Sequence, residues 1–424
     1  MTAARFHNDG GTLRDERYGS AGARMIDKID KQGRIMTQPL LFTPLRLREL
    51  TLKNRVVVAP MHQYSALKGF PTDWHLMNAG RYAAGGAGLV ILESTKIERR
   101  GCGTVGDLGI WDDAFVPHLA RIVDLVHECG AAAGIQLGHS GRKARTKRPW
   151  EGGWPLDHVA AAEAGIDDWD AWELVAPSAL PADEGVPAPR ALTREEIRAV
   201  AEAWGKAAAR AHAAGFDVVE IHGAHGFLIH EFLSPLANRR TDEYGGSEAK
   251  RMRFALEVCE RVRDNWPPGK PLFLRLSVED DAGWGPAQSV ALAKLVKPKG
   301  VDVIDCSSGG ILGKPPAGAA KPAYGYQVHY AEKIRKEGAI MTMAVGLIVH
   351  AEQAERILQE GRADLIALAR EMLYNPNWTM DAAQKLGFDP EFALVPPPYR
   401  YWLARRAATL PEVRPSTFGT GKIE

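Results

Sequence analysis

Two histidines three positions apart, His222 and His225, directly follow a short apolar run and are the first candidates for chemistry in this sequence. Two neighbouring imidazoles can donate hydrogen bonds to one oxygen, or they can ligate a metal ion. His230 and Glu231 come next, but a metal site would need further ligands, and no second ligand cluster follows another apolar run. A purely structural pair of histidines is the third interpretation.

The elements that must position these histidines alternate in type along the chain. Short apolar segments are separated by amphipathic stretches of helical length, which predicts a parallel sheet, and eight such units predict a closed (β/α)8 TIM barrel of the α/β class. The predicted strands are residues 55–59, 88–93, 132–137, 217–221, 271–276, 301–306, 340–345 and 364–367. The predicted helices are residues 116–128, 194–214, 248–265, 289–297, 326–336 and 351–360. A doubly wound open sheet is the alternative.

Two segments outside this alternation have predictions of their own. An N-terminal hairpin that starts near Leu40 is expected to close the bottom of the barrel. A long loop after strand three, residues 138–193, is expected to form a lid or wall over the site, because long ordered loops in barrels are commonly functional. A surface insertion without function is the alternative for this loop. Its tryptophans are Trp150, Trp154, Trp169 and Trp172.

Polar residues follow several of the predicted strands, at the end of the barrel where active sites lie. Gly346 and Arg370 follow the last two strands, and backbone N–H groups combined with an arginine suit a phosphate group. Arg275 ends the fifth strand, so its charge needs a partner near the core. That partner is either an anionic or carbonyl-rich ligand or a structural salt bridge.

Composition narrows the classes of partner. The 53 Lys and Arg residues nearly balance 52 Asp and Glu residues, and the formal net charge of +1 predicts no nucleic-acid or membrane partner. No apolar run reaches the roughly 18 residues of a membrane span. The four cysteines have no metal-ligand spacing. Residues 1–36 are polar and glycine-rich, without the apolar core of a secretory signal. We therefore expect a flexible N-terminal extension on a cytoplasmic enzyme that acts on a small molecule.

Four longer runs of sequence resemble the old yellow enzymes, especially their thermophilic-like subclass. They are APMHQYSA at 59–66, IQLGHSGRK at 135–143, EIHGAHGFLIHEFLSPLANRRTDEYGGS at 220–247 and LAREMLYNP at 368–376. The resemblance covers residues 38–380, and the third run is highly specific. It implies an FMN-binding barrel that is reduced by NADPH or NADH and passes hydride to the activated C=C bond of an α,β-unsaturated carbonyl compound.

The resemblance also implies roles for individual residues. The flavin would be lined by Ala59, Pro60, Met61, His62 and Ser94. Its pyrimidine edge would contact Gln136 and Arg275, and its phosphate would bind Gly346, Ala369 and Arg370. His222 and His225 would grip the carbonyl oxygen of the substrate, where negative charge develops during hydride transfer.

At two positions the sequence departs from the subclass. His62 stands where a redox-tuning cysteine is usual, and Phe227 stands where most relatives have a proton-donating tyrosine. A phenylalanine cannot give a proton to the α-carbon, so His62 and Tyr64 become the candidate acids. Tyr64 and Phe227 are also expected to contact the substrate, together with His222 and His225. The missing tyrosine permits an alternative function, a flavin-dependent desaturase or oxidase acting on a saturated ketone or related compound.

The predicted barrel domain spans residues 37–385, and residues 386–424 are predicted to form a C-terminal tail. In the thermophilic-like subclass the chain end reaches into a neighbour's active site, so Tyr401, Trp402 or a nearby Arg is expected to do this in a homodimer or homotetramer. A plain surface tail is the alternative for this segment.

Two rival classes follow from the same residues: a metal-dependent TIM-barrel hydrolase, and a barrel that has lost its activity and is kept for binding. No glycine-rich dinucleotide fingerprint follows a predicted strand, which is consistent with a nicotinamide that binds transiently over a flavin rather than in a domain of its own.

Overall fold

The computed structural model describes residues 28–29, 35–36, 38–153, 155–163, 165–280, 282–312 and 322–409. It contains two units, residues 1–38 and residues 39–424. In the first unit the short strands Lys28–Ile29 and Ile35–Met36 pair antiparallel. The rest of the predicted extension, Trp154 and the end of the predicted tail lie outside the described residues.

Eight parallel strands close into a barrel, with neighbours in sequence order and the last strand paired with the first. The prediction of a TIM barrel is confirmed, and the open-sheet alternative is wrong. The strands are β1 (Val56–Val58), β2 (Leu89–Lys96), β3 (Ala132–Gly138), β4 (Val218–Gly223), β5 (Leu272–Ser277), β6 (Val303–Ser307), β7 (Met341–Ala344) and β8 (Leu365–Leu368).

The interior of the barrel changes from apolar to polar along its axis. Side chains from the amino-terminal halves of the strands, such as Val218 and Phe273, pack together inside the barrel. Leu47 and Leu52 belong to the same cluster and come from the hairpin of Leu45–Leu47 and Leu50–Leu52, which closes the bottom as expected. Buried polar side chains follow further along the strands: Ser94, Gln136, Glu220, Arg275 and Asp305. The charges of the barrel therefore gather at its carboxyl end.

Twelve helices of the described residues follow the strands or lie in the loops. They are α1 (Asp73–Ala84), α2 (Val116–Glu128), α3 (His158–Glu163), α4 (Arg194–Ala213), α5 (Leu228–Leu233), α6 (Glu248–Asp264), α7 (Pro286–Val296), α8 (Val328–Gly338), α9 (Ala351–Gln359), α10 (Arg370–Tyr374), α11 (Trp378–Lys385) and α12 (Pro397–Thr409). The six predicted helices are present. Among the described residues, no helix is long and apolar enough to cross a membrane.

Six of the twelve helices are not among those predicted, namely α1, α3, α5, α10, α11 and α12. For α1 and for the end of β2 the difference has a local reason. Helix α1 was not predicted, because its cap uses Thr72 and His75 rather than the usual Glu or Gln, and Gly80 interrupts its interior. Strand β2 runs three residues beyond its predicted end at residue 93 and finishes at Lys96. Its register with β3 shifts between Leu92 and Ser94, and such a bulge breaks the alternation from which strand ends are predicted.

The loop after β3 folds against the body of the barrel through its tryptophans. The buried Trp172 donates from Nε1 to the carbonyl of Cys102 at 2.8 Å, and the Arg99 guanidinium lies 4.1 Å from the Trp172 ring. Arg99 also binds Asp168 of the loop, with Nε 2.5 Å from Oδ2. Within the loop, the Arg145 guanidinium lies 3.6 Å from the centre of the Trp169 ring. These contacts hold the loop, called the lid below, over the carboxyl end of the barrel.

The closure of the barrel floor generates a stability prediction. Leu52 is 1% exposed inside the apolar end of the barrel, so Leu52→Ala should leave a cavity and lower the free energy of unfolding by about 3 kcal/mol. Denaturant unfolding of the two proteins measures the difference. Thr51→Ala, on the exposed face of the same strand, is the control and should change stability by less than about 0.5 kcal/mol. Equal losses in both variants would contradict the packing role of Leu52.

Candidate functional site

Two cavities open at the carboxyl ends of the barrel strands. The central cavity has a volume of about 600 Å³ and is lined from β1 and from β5 to β8. The lateral cavity has a volume of about 570 Å³ and is lined by the residues after β1, β2 and β4 and by the lid. Each volume is typical of a small-molecule site, so this end of the barrel has room for two ligands.

The predicted site residues divide between the two cavities. The central cavity is lined by Ala59, His225, Arg275, Gly346, Ala369 and Arg370. The lateral cavity is lined by His62, Tyr64 and Phe227. The predicted residues that line neither are Pro60, Met61, Ser94, Gln136 and His222. The ring of His222 lies against the rings of His225 and Phe227, one from each cavity, so it stands at the junction.

Arg275 brings a nearly buried positive charge to the wall of the central cavity. Its Nε lies 3.2 Å from Oδ2 of Asp305, without the alignment of a hydrogen bond. A second buried carboxyl, that of Glu220, accepts a 2.7 Å hydrogen bond from Gln136. Burial, followed by the repulsion of Asp305, raises the pKa of Glu220 above its usual range. Arg275 therefore has a structural ion pair and also faces the cavity.

The two histidines at the end of β4 each keep one ring nitrogen for a ligand. Their ring centres are 5.2 Å apart and the rings are nearly perpendicular, at 79°. Nδ1 of His222 accepts the N–H of Ala224 at 3.3 Å, which leaves Nε2 to carry the proton. Nε2 of His225 lies 2.8 Å from Oγ of Ser307. When that hydroxyl donates, Nδ1 of His225 carries the proton, and both histidines are hydrogen-bond donors.

Both histidines are uncharged at neutral pH. Burial lowers the pKa of His222 well below its usual value, and the neighbouring His225 and Arg275 lower it further. Burial also lowers the pKa of His225, again helped by Arg275. The pair therefore offers N–H groups without adding positive charge, which is the behaviour expected of donors to a developing oxyanion rather than of acids.

The backbone of His225 is strained and is held from three sides. Its φ of 60° lies in the left-handed region, which costs free energy for a residue with a side chain. Its N–H donates to Oγ of Ser277 on β5 at 2.9 Å, and its carbonyl accepts from Nζ of Lys143 in the lid at 2.9 Å. The following Gly226 has a φ of 71° and faces the carbonyl of Gly310 with no room for a side chain. These contacts fix the direction of the His225 ring.

An aromatic wall runs from His222 to the lid. Phe227 lies edge-on to His222, with ring centres 4.9 Å apart, and also edge-on to His62 at 6.1 Å. His62 stacks on Tyr64 with ring centres 5.1 Å apart and planes 11° from parallel. The exposed Trp150 of the lid meets Tyr64 at 5.7 Å. A flat ligand in the lateral cavity would lie along these rings.

The two candidate acids in this wall differ in their protonation. Burial, followed by the nearby Lys96, lowers the pKa of His62, and both of its ring nitrogens lack hydrogen-bond partners. Burial raises the pKa of Tyr64 to about 12. At neutral pH His62 is therefore an uncharged base, while Tyr64 keeps its proton and is a weak acid.

Several polar residues of the cavities are not among the predicted site residues. In the central cavity they are Ser307, Ser308, Tyr326, Gln327 and Glu371, and in the lateral cavity Thr104, Asp107, Ser140, Arg142, Lys143 and Asp183. Ser307 and Ser140 stand at strand ends, so the rule that inspects strand ends could have found them. Asp107 and Asp183 reach the cavity only through the folding of loops, and the sequence carries no signal for them.

These features define a class of protein: a TIM-barrel enzyme with a cofactor-sized central cavity, a lateral substrate cavity and a pair of neutral donors between them. Within the described ranges, no group of three or more His, Cys, Asp or Glu side chains could hold a metal ion.

Comparison with known proteins agrees with this class. Residues 40–388 match the model of the NADH:flavin oxidoreductase / NADH oxidase family. An NADPH dehydrogenase of Geobacillus sp. (strain WCH70) is 44% identical over 354 residues, which are 82% of this chain and 95% of that enzyme. Morphinone reductase has a similar structure, with a TM-score of 0.68 and 30% identity over 83% of this chain and 91% of its own. An old yellow enzyme homologue from Zymomonas mobilis has a TM-score of 0.66 and 29% identity, over 82% and 93% of the two chains.

The chain therefore belongs to the NADH:flavin oxidoreductase family, the family of the old yellow enzymes. It is an FMN-dependent oxidoreductase that uses a nicotinamide reductant, so the hydrolase and the inactive barrel are set aside. Membership of the thermophilic-like subclass stays a prediction.

A buried carboxyl below the lid gives the site a testable pH dependence. Oε1 of Glu231 on α5 accepts the N–H of Arg142 at 2.8 Å, and burial raises the pKa of Glu231 to about 8. In the unfolded chain the Glu231 carboxyl has an ordinary pKa of roughly 4.3. Between that pH and about pH 8 the folded protein therefore keeps a proton on Glu231 that the unfolded chain has released. Stability from this group is present at low pH and is lost as the pH rises toward 8.

Replacement of that carboxyl by an amide should remove this loss. We compare the unfolding free energy of Glu231→Gln with that of the wild type at each pH. As the pH rises from 5 to 9, this difference should shift in favour of the variant by about 2 kcal/mol or more. Thermal unfolding of both proteins across this range measures it. The exposed Glu128→Gln should follow the wild-type curve, and parallel curves for Glu231→Gln would show that its carboxyl titrates normally.

Proposed function

We propose that this enzyme reduces the activated C=C bond of α,β-unsaturated carbonyl compounds, with His222 and His225 binding the carbonyl oxygen. The observation that carries the proposal is the pair of neutral, oriented N–H donors at the junction of the two cavities. Bound FMN supplies hydride after reduction by NADPH or NADH. The protein residues must then bind the oxygen, orient the alkene and provide a proton.

The residues of the central cavity fit an FMN group. Arg275 faces the cavity with an Nε that lacks a hydrogen bond, and a cation there suits the electron-rich pyrimidine edge of a flavin. Gly346 and Arg370 line the cavity after β7 and β8, where TIM barrels commonly bind phosphate. We assign the remaining flavin contacts to Ala59, Pro60, Met61, His62, Ser94, Gln136 and Ala369.

The histidine pair would lower the barrier by stabilising charge. During reduction negative charge develops on the carbonyl oxygen, and two fixed donors beside that oxygen favour the charged state. Because His222 and His225 are neutral and already held by Ala224, Ser277 and Ser307, they need little rearrangement when the charge appears. Each such donor is typically worth about 3 kcal/mol.

Removal of one donor should therefore slow the reaction strongly. His222→Ala and His225→Ala should each reduce the rate at which cyclohexenone oxidises the reduced enzyme by about 10²-fold to 10³-fold, in anaerobic stopped-flow experiments. The exposed His212→Ala, on α4, should react at the wild-type rate. Wild-type rates in both site variants would contradict the assignment of the carbonyl site.

A second function is permitted by Phe227. Because this ring can neither give a proton to the α-carbon nor take one from it, alkene reduction lacks its usual acid, and reaction of reduced flavin with oxygen competes better. A desaturase or oxidase acting on a saturated ketone would need another residue as the base. His62 and Tyr64 line the same cavity and are the wall residues we assign to substrate binding and proton transfer. A panel of enones, nitroalkenes and saturated ketones, tested with flavin in both redox states, separates a reductase from a desaturase or oxidase.

We also propose that the chain forms a homodimer or homotetramer through its C-terminal helix. No side chain of α12 is buried, and Tyr401 and Trp402 are 55% and 68% exposed. Large exposed aromatics are typical of protein contacts. A cytoplasmic location, without nucleic-acid or membrane partners, is part of the same proposal.

The oligomer has a direct test. Trp402→Ala should shift the protein toward the monomer in sedimentation velocity, because aromatic anchors dominate interface energies. Trp74→Ala, which removes an exposed indole from α1, should leave the assembly unchanged. A wild-type monomer at all accessible concentrations would rule out the oligomer.

A further inference from the structure

A fully buried lysine lies beside the site and is not used by the function proposed above. Lys96 ends β2 and is 0% exposed. Its Nζ donates to Oγ of Ser94 at 3.0 Å and lies 3.4 Å from Oδ2 of Asp107. A third contact is aromatic, because Nζ lies 5.0 Å from the ring centre of Phe227. The ammonium group thus sits on the face of the ring that replaces the expected tyrosine.

The partner of this lysine is an ionised carboxylate. Asp107 accepts the N–H of Gly103 and the hydroxyl of Thr104, each at 2.7 Å. Burial alone would raise the pKa of Asp107, but Lys96 and these hydrogen bonds lower it below its usual range. A buried carboxylate of this kind requires a cation beside it. Lys96 is the side chain placed to meet this need, and its Nζ also faces the ring of Phe227.

The position of the ammonium is close to the reacting part of the proposed substrate. Phe227 lies against Lys96 on one side and against the ring of His222 on the other, with ring centres 4.9 Å apart. Ser94 binds Lys96. Its Oγ and the Cβ of His222 both lie close to Gly138, on the side where a side chain of that residue would stand. Asp107 and Phe227 both line the lateral cavity, so Lys96 lies directly behind this part of the cavity wall.

Burial of this pair is costly, since two charges lose their hydration and an apolar pair of similar volume is often as stable or more so. A structural reason for the lysine is therefore weak. A chemical reason is available, because an enzyme of the proposed function needs an acid near the α-carbon and Phe227 cannot be that acid.

We propose that Lys96 is the proton donor to the α-carbon, in the place of the hydroxyl that position 227 lacks. The assignment rests on the proposed reduction of an activated alkene. Bound FMN, once reduced, would supply the hydride for the new C–H bond at the β-carbon, and the C=C electron pair would move to the α-carbon and carbonyl oxygen. A proton from the Lys96 ammonium forms the second C–H bond. The neutral amine then regains a proton from water, and Asp107 favours its return to the charged form.

The other two candidates are poor proton donors in this structure. His62 is neutral at pH 7, so it would have to give up its last ring proton. Tyr64 has a pKa of about 12 and lies flat against His62. The flexible four-carbon stem of a lysine lets its ammonium move past the edge of a ring.

A nitroalkene separates hydride transfer from protonation. Addition of hydride to a nitroalkene gives a nitronate anion that survives in water and has its own ultraviolet band, whereas protonation at the α-carbon gives the nitroalkane. The wild type should oxidise its reduced flavin and release nitroalkane. Lys96→Met should oxidise the flavin within a few-fold of the wild-type rate and release nitronate.

Three variants make the readout specific. Lys96→Met/Asp107→Asn removes both charges, so it leaves no unpaired buried ion, and it should release nitronate as the single variant does. Lys96→Met/Phe227→Tyr restores a hydroxyl at position 227 and should release nitroalkane again. Lys53→Met changes another largely buried lysine, which binds the carbonyl of Leu394 in the barrel floor region, and should behave as the wild type.

Other outcomes overturn the assignment. Release of nitroalkane by Lys96→Met and by the double-charge variant would show that Lys96 is not the donor. Release of nitronate by Tyr64→Phe alone would assign the role to Tyr64. Release of nitronate by the wild type would mean that the enzyme has no donor. If neither nitroalkenes nor enones oxidise the reduced wild-type flavin, the proposed function fails, and this assignment fails with it.

Discussion

The Arg275 guanidinium is the charge on which the rest of the site depends. It is held inside a closed barrel whose lower part is apolar, so its field is poorly screened and acts on every polar group nearby. Asp305 balances it, at 3.2 Å, while Glu220 carries a raised pKa beside that carboxylate. Burial is the main cause that lowers the pKa of His222 and His225, and the same charge lowers it further, so both rings are neutral. In the proposed function this ion would provide a cationic edge for a flavin and would help to keep the donor pair neutral.

Neutral donors are useful only if their directions are fixed, and the strained backbone at His225 shows how this is done. A left-handed conformation is unfavourable in isolation, but Ser277, Ser307 and Lys143 each bind a different group of this residue. The serines come from the neighbouring strands β5 and β6, whereas Lys143 belongs to the base of the lid. The direction of the His225 ring therefore depends on closure of the barrel and on seating of the lid, which places substrate enclosure and oxyanion binding under one set of contacts.

The sequence was sufficient for the barrel because strand burial there is nearly complete, and apolar runs such as those before His222 and Arg275 mark strands without reference to their partners. It also brought Arg275 and Gly346 to a cavity wall from their strand ends, although Ser94 and Gln136 line neither cavity. The sequence did not predict features that depend on an irregular strand or on contacts between residues far apart in the chain. The bulge that extends β2 to Lys96 is invisible in the alternation of residues. Lys96 pairs with Asp107 only because the loop between them folds back, and no local sequence pattern predicts this contact.

The bulge bears directly on the proposed chemistry, because Lys96, which it brings into β2, lies against Phe227, where the resemblance leads us to expect a tyrosine. With β2 ending at residue 93, Lys96 would belong to a solvated loop and Phe227 would simply be a missing acid. With β2 continuing to residue 96, the lysine is carried inward, desolvated, and set on the face of Phe227. A bare phenyl face tolerates an ammonium group without competing for its hydrogen bond to Ser94 or its ion pair with Asp107. The phenyl ring at position 227 and the buried lysine are therefore physically compatible, and a ring without a hydroxyl at this position does not by itself mean that the site lacks a proton source.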